Sequence, residues 1–415
     1  MNGSRTVALL GSTGSIGTQG IEVIEHLNEL AGANSADEQA PLKVLALAAG
    51  TSSLDLLAQQ AVKLRVQLVG TSGNEAQAQK LRALIAQYAS QEDAADFTPQ
   101  VVWGPDAATQ VAMVGADVVL NGITGSIGLQ PTLAALEAES QVALANKESL
   151  IAGGALVRAA IDASPLAQPM VPVDSEHSAI AQALQAGNDQ EIDRLILTAS
   201  GGPFRGMSYE RLREVTPQQA LAHPTWDMGL VVTTNSASMV NKALEVLEAH
   251  HLFGVDLDRI DVTVHRQSIV HSMVQFIDGS TIAQASPPTM LLPIALGLTW
   301  PHRISGVAQP CDWSTASEWT FEPLDEKAFP AVKMIKDAGK AGGTYPAVFN
   351  AANEESVAAF HAGNIRFTDI IETVGQVLEQ HAHSEALCEE KNLSLDSVLK
   401  AEAWGRVRAN EILAQ

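Results

Sequence analysis

The segment VPVDSEHSAI sets two carboxylates, a hydroxyl and an imidazole side by side at the end of an apolar stretch. Asp174 and Glu176 offer hard oxygen ligands of the kind that Mg²⁺ and Mn²⁺ take in proteins. The same residue types also start ordinary helices, because Ser and Asp accept hydrogen bonds from the first turn and Glu favours the positive end of the helix dipole. From these residues alone, the segment predicts either a plain helix cap or a metal site, and His177 has no assigned role.

A third carboxylate comes from NSASMVNKALEVLEAHHLFG, whose apolar periodicity predicts one helix over residues 235–254. Polar residues three or four positions apart share one face of that helix: Ser238, Asn241, Lys242 and Glu245. Hydroxyl, amide and ammonium donors of this kind can hold a phosphate, with Glu245 one turn further on to reach a metal. A solvent-facing stripe is the other interpretation of this face, and we expect Glu248 to be exposed to solvent.

Two nearly identical glycine loops, GSTGSIG from Gly11 and GITGSIG from Gly122, each follow a predicted strand and precede a helical pattern. In that context the glycines let a pyrophosphate approach a helix N-terminus, where backbone amides and the helix dipole favour anions. A tight turn without a ligand is the alternative. The second predicted strand ends AAGTSS, without the acid that NAD enzymes use for the ribose, which favours NADP over NAD.

Three further segments carry residues that could bind or react. SGGPFRG follows the apolar run LILTA and predicts a strand that ends in a loop of exposed amides, which either binds phosphate or merely turns. HPTWDMG has a large aromatic side chain among proline and glycine, which suits either a mobile lid or a core tryptophan. His271 lies in VHRQSIVHSMVQF, and its alternative is a histidine hydrogen-bonded within a strand.

The composition excludes several classes of protein. Forty-seven acids against 25 bases give a net charge of −22, which predicts repulsion of polyanions and no nucleic-acid partner. The chain has no run of about 18 uncharged apolar residues, so we expect no membrane span. The N-terminal segment has no cleavage-site pattern, which favours a cytoplasmic protein. Cys311 and Cys388 lack the spacing of a thiolate metal site.

The order of these patterns predicts an α/β protein with three domains. Strand-like runs alternate with amphipathic helical stretches over the first 150 residues, as in a Rossmann-like, doubly wound parallel sheet. Strands are expected at residues 6–11, 42–50 and 66–70 and in the runs that end at Gly122 and Asn146. We predict a dinucleotide-binding domain over 1–173, a central α+β catalytic domain with a flap over 174–302, a linker over 303–328 and a small helical domain over 329–415.

Eight motifs together extend over nearly the whole chain in one order: LGSTGSIG, NKESL, PVDSEHSAI, SGGPFR, HPTWDMG, NSASMVNKALEVLEAHHLFG, HRQSIVHSMVQFIDGS and NAANEESVAAF. This series closely resembles the 1-deoxy-D-xylulose-5-phosphate reductoisomerase family. The resemblance implies an enzyme with NADPH and a divalent cation (Mg²⁺, Mn²⁺ or Co²⁺) as cofactors, a phosphosugar substrate and a homodimeric assembly. Thr51-Ser52 stands where the family commonly has a Lys-Asn type of sequence near the 2′-phosphate.

The resemblance also implies a role for individual residues. The implied metal ligands are Asp174, Glu176 and Glu245. The residues implied to act in catalysis are Lys147, Asp174, Glu176, His223 and Glu245. The implied substrate contacts are Lys147, Ser175, Glu176, Ser200, His223, Trp226, Ser236, Asn241, Lys242, Glu245 and His271, with Met228 also covering the substrate. The implied cofactor contacts are Thr13, Gly14, Ser15, Ile16, Gly50, Asn146, Glu148 and Gly229.

The implied reaction converts 1-deoxy-D-xylulose 5-phosphate to 2-C-methyl-D-erythritol 4-phosphate, a step of the non-mevalonate isoprenoid pathway, by rearrangement of the carbon skeleton and hydride reduction. Two alternatives remain at this point. One is another NADP-dependent phosphosugar or semialdehyde reductase. The other is a nucleotide-binding protein that has lost catalytic activity.

Overall fold

The computed structural model describes residues 4–32, 41–92, 94–223, 226 and 229–415. Its strands are β1 Arg5–Leu10, β2 Leu42–Ala49, β3 Leu68–Thr71, β4 Gln100–Trp103, β5 Val118–Asn121, β6 Gln141–Leu144, β7 Met170–Pro172, β8 Ile192–Ala199, β9 Ile260–Val264, β10 Val270–Phe276, β11 Thr281–Ala285 and β12 Glu322–Pro323. Its helices are α1 Ser15–Gly32, α2 Leu54–Leu64, α3 Glu75–Gln91, α4 Ala107–Ala112, α5 Leu129–Glu137, α6 Lys147–Ala163, α7 Ser175–Leu184, α8 Tyr209–Leu212, α9 Pro217–Ala220, α10 Leu230–Ala237, α11 Val240–Phe253, α12 Leu291–Thr299, α13 Ala331–Ala341, α14 Tyr345–His361, α15 Phe367–His381 and α16 Leu395–Leu413.

The chain divides into two compact units. The first comprises Met1–Ser149, Ala159–Asp174 and Thr289–Ala308, and the second comprises Leu150–Arg158, Ser175–Pro288 and Gln309–Gln415. The predicted division into three domains stays a prediction. The units group Thr289–Ala308 with the first 149 residues rather than with the remainder of the predicted catalytic domain.

The first unit is built on a parallel sheet, which within the described residues has seven strands in the order β4-β3-β2-β1-β5-β6-β7. The strand order reverses at β1 and β5, whose register pairs Leu10 with Asn121. Both strands end in glycine loops at the carboxyl edge of the sheet, which is where doubly wound folds bind ligands. The sheet therefore brings the two sequence repeats together at its switch point.

Close packing of these two loops explains two of the glycines. A Cβ on Gly11, which has φ +80°, would lie 2.7 Å from the carbonyl oxygen of Gly122. A Cβ on Gly17, at the start of α1, would lie 2.4 Å from the Gly11 carbonyl oxygen and 2.4 Å from Ser12 Cα. Because these neighbours are backbone atoms, they cannot rotate away, and only glycine fits.

The second unit contains a mixed sheet in the order β11-β10-β8-β9-β12 among the described residues. Strands β8 and β9 run parallel, while β10 is antiparallel to both β8 and β11. The long helices α11, α13 and α14 share an apolar core with β8 and β9, and α15 and α16 contribute to the same core. The predicted fold class is confirmed: a Rossmann-like sheet, a second α+β region and C-terminal helices.

Three local features differ from what the sequence predicted. Strands β4 and β7 were not expected, because runs of four and three residues carry little periodic signal. The helix predicted over 235–254 is wrong as one element, since α10 ends at Ala237 and α11 begins at Val240. Met239 between them has φ +63°, a left-handed conformation that breaks the helical hydrogen-bond series.

None of the described helices is long and apolar enough to cross a membrane.

The glycine packing predicts a position-specific loss of stability. We expect Gly17→Ala to lower the free energy of unfolding by about 3 kcal/mol, because the added methyl group meets backbone atoms and the loop must shift. Gly32→Ala, at the other end of α1, is the matched control, since a Cβ there meets nothing within 4 Å. Urea unfolding followed by circular dichroism measures both. Equal stability of the two variants would contradict this account.

Burial of His381 predicts a pH dependence of stability. Its side chain is fully buried and its Nε2 lies 2.9 Å from Thr344 Oγ1, and burial lowers its pKa from 6.5 to about 4. Between these values the unfolded chain binds a proton that the folded chain does not, so stability falls as the pH drops from 6.5 towards 4. The measurement is the free energy of unfolding at several pH values across this range. Its change per pH unit should be smaller in His381→Gln than in the unsubstituted chain, by up to about 1.4 kcal/mol per pH unit. Identical slopes would contradict the prediction.

Candidate functional site

Three carboxylates predicted from distant parts of the sequence come together. Asp174 precedes α7, Glu176 lies in its first turn, and Glu245 lies in the second turn of α11. Each offers a carboxylate oxygen, and these oxygens all lie within 4.8 Å of one another. Glu245 is 1% exposed, while Asp174 and Glu176 are half-buried. Within the described residues this cluster has the ligand chemistry of a hard divalent cation.

Two lysines balance part of this negative charge. Lys147, the first residue of α6, hydrogen-bonds through Nζ to Asp174. Lys242 is 4% exposed, and its Nζ lies 2.6 Å from Glu176 Oε1 and also contacts Glu245. Three carboxylates and two ammonium groups give the cluster a formal charge of −1. The arrangement satisfies buried charges by pairing, and it keeps an excess of oxygen ligands.

Neighbouring polar side chains orient the carboxylates. The Ser175 hydroxyl donates to Glu176. Asn241 Nδ2 donates to Glu245 Oε1 at 2.5 Å. Asn241, Lys242 and Glu245 therefore share one helix face, as predicted. Ser238 does not share that helix, because it lies in the break before α11.

His177 and Glu248 form a contact beneath the carboxylates that the sequence analysis missed. Both residues are fully buried, and His177 Nδ1 lies 3.2 Å from Glu248 Oε2. His177 Nε2 lies 2.9 Å from the carbonyl oxygen of Glu245. The expectation that Glu248 faces solvent is wrong, because residues from Lys242 to Ala249 on α11 are all buried. Polar periodicity does not identify a solvent face on a helix that is enclosed on every side.

The carbonyl oxygen of Glu245 fixes one proton of His177. A carbonyl oxygen only accepts, so Nε2 carries a hydrogen that it donates to Glu245. The Nδ1 contact with Glu248 Oε2 at 3.2 Å lies on the other side of the ring. Together the two contacts join α7, which carries Glu176, to α11, which carries Glu245.

The hydroxyl of Ser200 is prepared to donate. The backbone N–H of Trp226 donates to His223 Nδ1 at 2.9 Å, so the neutral ring carries its hydrogen on Nε2, which lies 3.0 Å from Ser200 Oγ. Burial lowers the pKa of His223, consistent with a neutral ring. Gly202 N–H also donates to Ser200 Oγ. Because Ser200 already accepts two hydrogen bonds, its own O–H is available for an anionic ligand.

The remaining predicted substrate residues lie in the second unit. Trp226 is half-buried, and its ring centroid lies 6.5 Å from that of His271. His271 is 5% exposed and its Nε2 donates to the Ser286 carbonyl. Ser236 lies in the last turn of α10. Pro224, Thr225, Asp227 and Met228 are outside the described residues, so the prediction for Met228 is untested.

The first glycine loop presents a helix N-terminus. Gly14 and Ser15 are exposed where α1 begins, Thr13 is half-buried, and Ile16 packs against the core of the first unit. Gly50 is exposed directly after β2. An 18-residue helix that starts at an exposed, glycine-containing turn offers free amides to an anion. This geometry fits the pyrophosphate of a dinucleotide.

The second glycine loop is held by a buried amide. Asn146 caps α6 by accepting from Ser149 N–H, and its Nδ2 donates to the carbonyls of Ile123 and Gly125. Glu148 also accepts from this amide. Asn146 is therefore a structural tie between two loops, in addition to its predicted cofactor contact. Gly229 is exposed immediately before α10.

The fold and these residues define a class, a Rossmann-type dinucleotide-binding protein with a cluster of three carboxylates. Family models narrow the class. The model described as 1-deoxy-D-xylulose 5-phosphate reductoisomerase matches residues 7–154, its C-terminal domain matches 170–253, and a further DXP reductoisomerase C-terminal domain matches 285–408. The chain belongs to the 1-deoxy-D-xylulose 5-phosphate reductoisomerase family.

Individual relatives are similar to this chain over nearly its full length. A protein of that name from Arthrobacter sp. (strain FB24) is 60% identical over 410 residues, which cover 99% of this chain and 98% of the relative. The Zymomonas mobilis enzyme, solved in complex with NADPH, is 35% identical with a TM-score of 0.86 and 99% coverage of both chains. A DOX-P reductoisomerase solved with NADPH, fosmidomycin and magnesium is 30% identical with a TM-score of 0.84, covering 99% of this chain and 98% of its own.

The buried histidine contact predicts an effect on metal affinity. We expect Glu248→Ala to weaken Mn²⁺ binding about tenfold, because loss of a partner behind the ligand shell loosens the spacing of Glu176 and Glu245. Glu248→Gln is the matched control, since its amide keeps the size of the carboxyl group and a hydrogen-bonding group facing His177 Nδ1. Isothermal titration calorimetry measures both affinities. Wild-type affinity in the alanine variant would show that the contact does not orient the carboxylates.

Proposed function

We propose that this chain is an NADPH-dependent, metal-dependent reductoisomerase that converts 1-deoxy-D-xylulose 5-phosphate to 2-C-methyl-D-erythritol 4-phosphate. Family membership over the full length supports the reaction. The single structural observation that carries the proposal is the triad of Asp174, Glu176 and Glu245, whose oxygens lie within 4.8 Å of one another. An inactive nucleotide-binding protein would have no use for three carboxylates held at this separation.

The donor set fits Mg²⁺ or Mn²⁺. All three groups are carboxylates, which suit hard cations, and within the described part of the chain the cluster has no cysteine or histidine ligand. Asp174, Glu176 and Glu245 would hold the cation. When bound, it supplies Lewis acidity to the ketone and adjacent hydroxyl oxygens of the substrate, stabilising charge that develops during rearrangement.

The glycine loops fit NADPH. Gly11 and Gly17 leave no room for a Cβ, and the exposed turn at Gly14 and Ser15 opens α1. Thr13, Gly14, Ser15 and Ile16 would contact the pyrophosphate half, with Gly50 at the end of β2. Asn146, Glu148 and Gly229 would contact the remainder of the cofactor. When bound, NADPH supplies the hydride that reduces the rearranged aldehyde.

The phosphate of the substrate would bind to neutral and cationic donors. Ser200, Ser236, Asn241 and Lys242 supply hydroxyl, amide and ammonium hydrogens, and Ser200 has its O–H free to donate by the argument given above. Phosphate binding is remote from the carbons that rearrange. Its binding energy can therefore be used to position the reacting end of the substrate.

Residues beside the carboxylates would position the reacting atoms. Lys147 Nζ contacts Asp174 and would donate to substrate oxygens near the cation. Ser175, at the start of α7, would bind the same end of the substrate. His223 and Trp226, with His271 nearby, would cover the bound molecule and exclude water from the reaction. A cytoplasmic location and a homodimeric assembly are also part of this proposal.

The proposal predicts strict metal dependence. NADPH oxidation should require 1-deoxy-D-xylulose 5-phosphate, cease with excess EDTA and return with Mg²⁺ or Mn²⁺. Glu245→Gln should lower kcat/KM at least about a hundredfold, because one charged ligand is lost from the triad. Absorbance at 340 nm follows the reaction.

Glu385→Gln, which changes an exposed acid, is the control and should retain full activity. Activity of metal-stripped protein would overturn the proposed mechanism. Turnover of an unrelated phosphosugar or semialdehyde, with none of the named substrate, would instead favour the other reductases considered from the sequence.

A further inference from the structure

The motif NAANEESVAAF forms most of α14, yet none of its residues belongs to the proposed site. Asn353 in this motif is 0% exposed, and its Nδ2 donates to Asn235 Oδ1 at 3.0 Å. Asn235 is 5% exposed and lies on α10, directly before Ser236. A buried hydrogen bond thus joins the C-terminal helices to the residue next to a proposed phosphate donor.

A second hydrogen bond joins the same two helices. The Thr234 hydroxyl lies 2.9 Å from the Leu230 carbonyl oxygen, which only accepts, so its single hydrogen is directed there. Thr234 must therefore accept from His361 Nε2, at 2.7 Å. Burial lowers the pKa of His361, in keeping with a neutral ring that donates through Nε2. Thr234 is fully buried.

Apolar contacts also join α14 to α10 and to the segment after β8. One core cluster contains Val357 and Phe360 of α14, Ala237 and Met239 at the end of α10, and Ala199 and Phe204 around the SGGPFR segment. Asn353, Val357 and Phe360 recur at helical spacing, so they occupy one face of α14. That face supports the strained turn at Met239 and the loop that follows β8 together.

The two supported segments also touch each other. Gly202 has φ +61°, and a Cβ there would lie 2.9 Å from the Ser236 carbonyl oxygen and 3.0 Å from Ala237 Cα. The loop that carries Ser200 and the end of α10 that carries Ser236 therefore meet at Gly202 with no room for a side chain. Asn241 and Lys242 follow on α11 after the Met239 turn. The four proposed phosphate donors thus lie on segments that lead into or out of this junction.

We propose that Asn353 is a positioning residue for substrate phosphate: α14 fixes α10, and through it Ser236 and the Gly202 loop, in the geometry that binds a phosphate monoester. This inference rests on the proposed function, since it deepens the assignment of the same phosphate-binding residues. The side-chain hydrogen bond of Asn353 goes to Asn235 on α10. Its loss should therefore weaken phosphate binding selectively.

The test compares Asn353→Ala with Asn350→Ala. Asn350 is 1% exposed on the same helix, but it bonds within that helix, to Glu354. We expect Asn353→Ala to raise the KM for 1-deoxy-D-xylulose 5-phosphate about five- to tenfold, the equivalent of one lost hydrogen bond, with kcat within about twofold. The KM for NADPH and the half-saturating Mn²⁺ concentration should not change. Asn350→Ala should leave all four quantities unchanged.

Inorganic phosphate provides a readout that needs no turnover. Its dissociation constant, measured by calorimetry, should rise in Asn353→Ala by the same factor as the KM. A merely structural role would lower the melting temperature and the active fraction without changing either constant, and that result would overturn the inference. If the unsubstituted chain binds phosphate but does not oxidise NADPH with this substrate, the proposed function fails while the role of Asn353 is still tested.

Asn235→Ala removes the acceptor of the same hydrogen bond. This variant replaces Asn353→Ala in the test if Asn353→Ala does not fold. The double variant Asn235→Ala/Asn353→Ala should weaken phosphate binding no more than either single change, because both remove one interaction. Fully additive losses would overturn the inference.

Discussion

Three carboxylates within 4.8 Å of one another are the constraint on which the candidate site depends. Such groups repel, and burial strengthens the repulsion by removing water. Lys147 and Lys242 offset it in part, and Lys242 and Glu245 are almost fully buried. An arrangement of this kind persists only where rigid elements impose it. The helices α7 and α11 therefore have to be fixed by contacts that involve no solvent-exposed charge.

Those contacts lie one layer behind the carboxylates. The contact between His177 and Glu248 joins the two helices, and the second ring nitrogen of His177 bonds the Glu245 carbonyl, so the ring is held on both sides. A second layer of support lies behind the proposed phosphate donors, where α14 bonds α10 through Asn353 and His361. In both places a buried polar contact specifies geometry while apolar neighbours supply most of the stability.

The proposed cofactor site in the first unit differs from the carboxylate cluster, because it exposes backbone amides to an anion and does not bury charged side chains. Parallel strands β1 and β5 deliver both glycine loops to one edge, and contact between Gly11 and Gly122 fixes their separation. Asn146 ties the second loop to α6. The anion-binding groups at this edge of the sheet are thus mainly backbone amides. The parallel direction of the strands and the close packing of the glycine loops place them there.

The sequence by itself determined the elements whose signal lies in consecutive residues. The runs at Thr6, Leu42 and Ala116 predicted β1, β2 and β5, the glycine spacing predicted the loops after them, and the order of motifs indicated the family. Tertiary structure decided what consecutive residues cannot encode. Glu248 is buried in contact with His177, 71 positions earlier, and Met239, in its left-handed conformation, shares an apolar cluster with Val357 and Phe360 of α14. Periodicity reports which residues share a face, whereas burial and strain depend on what the rest of the chain packs against that face.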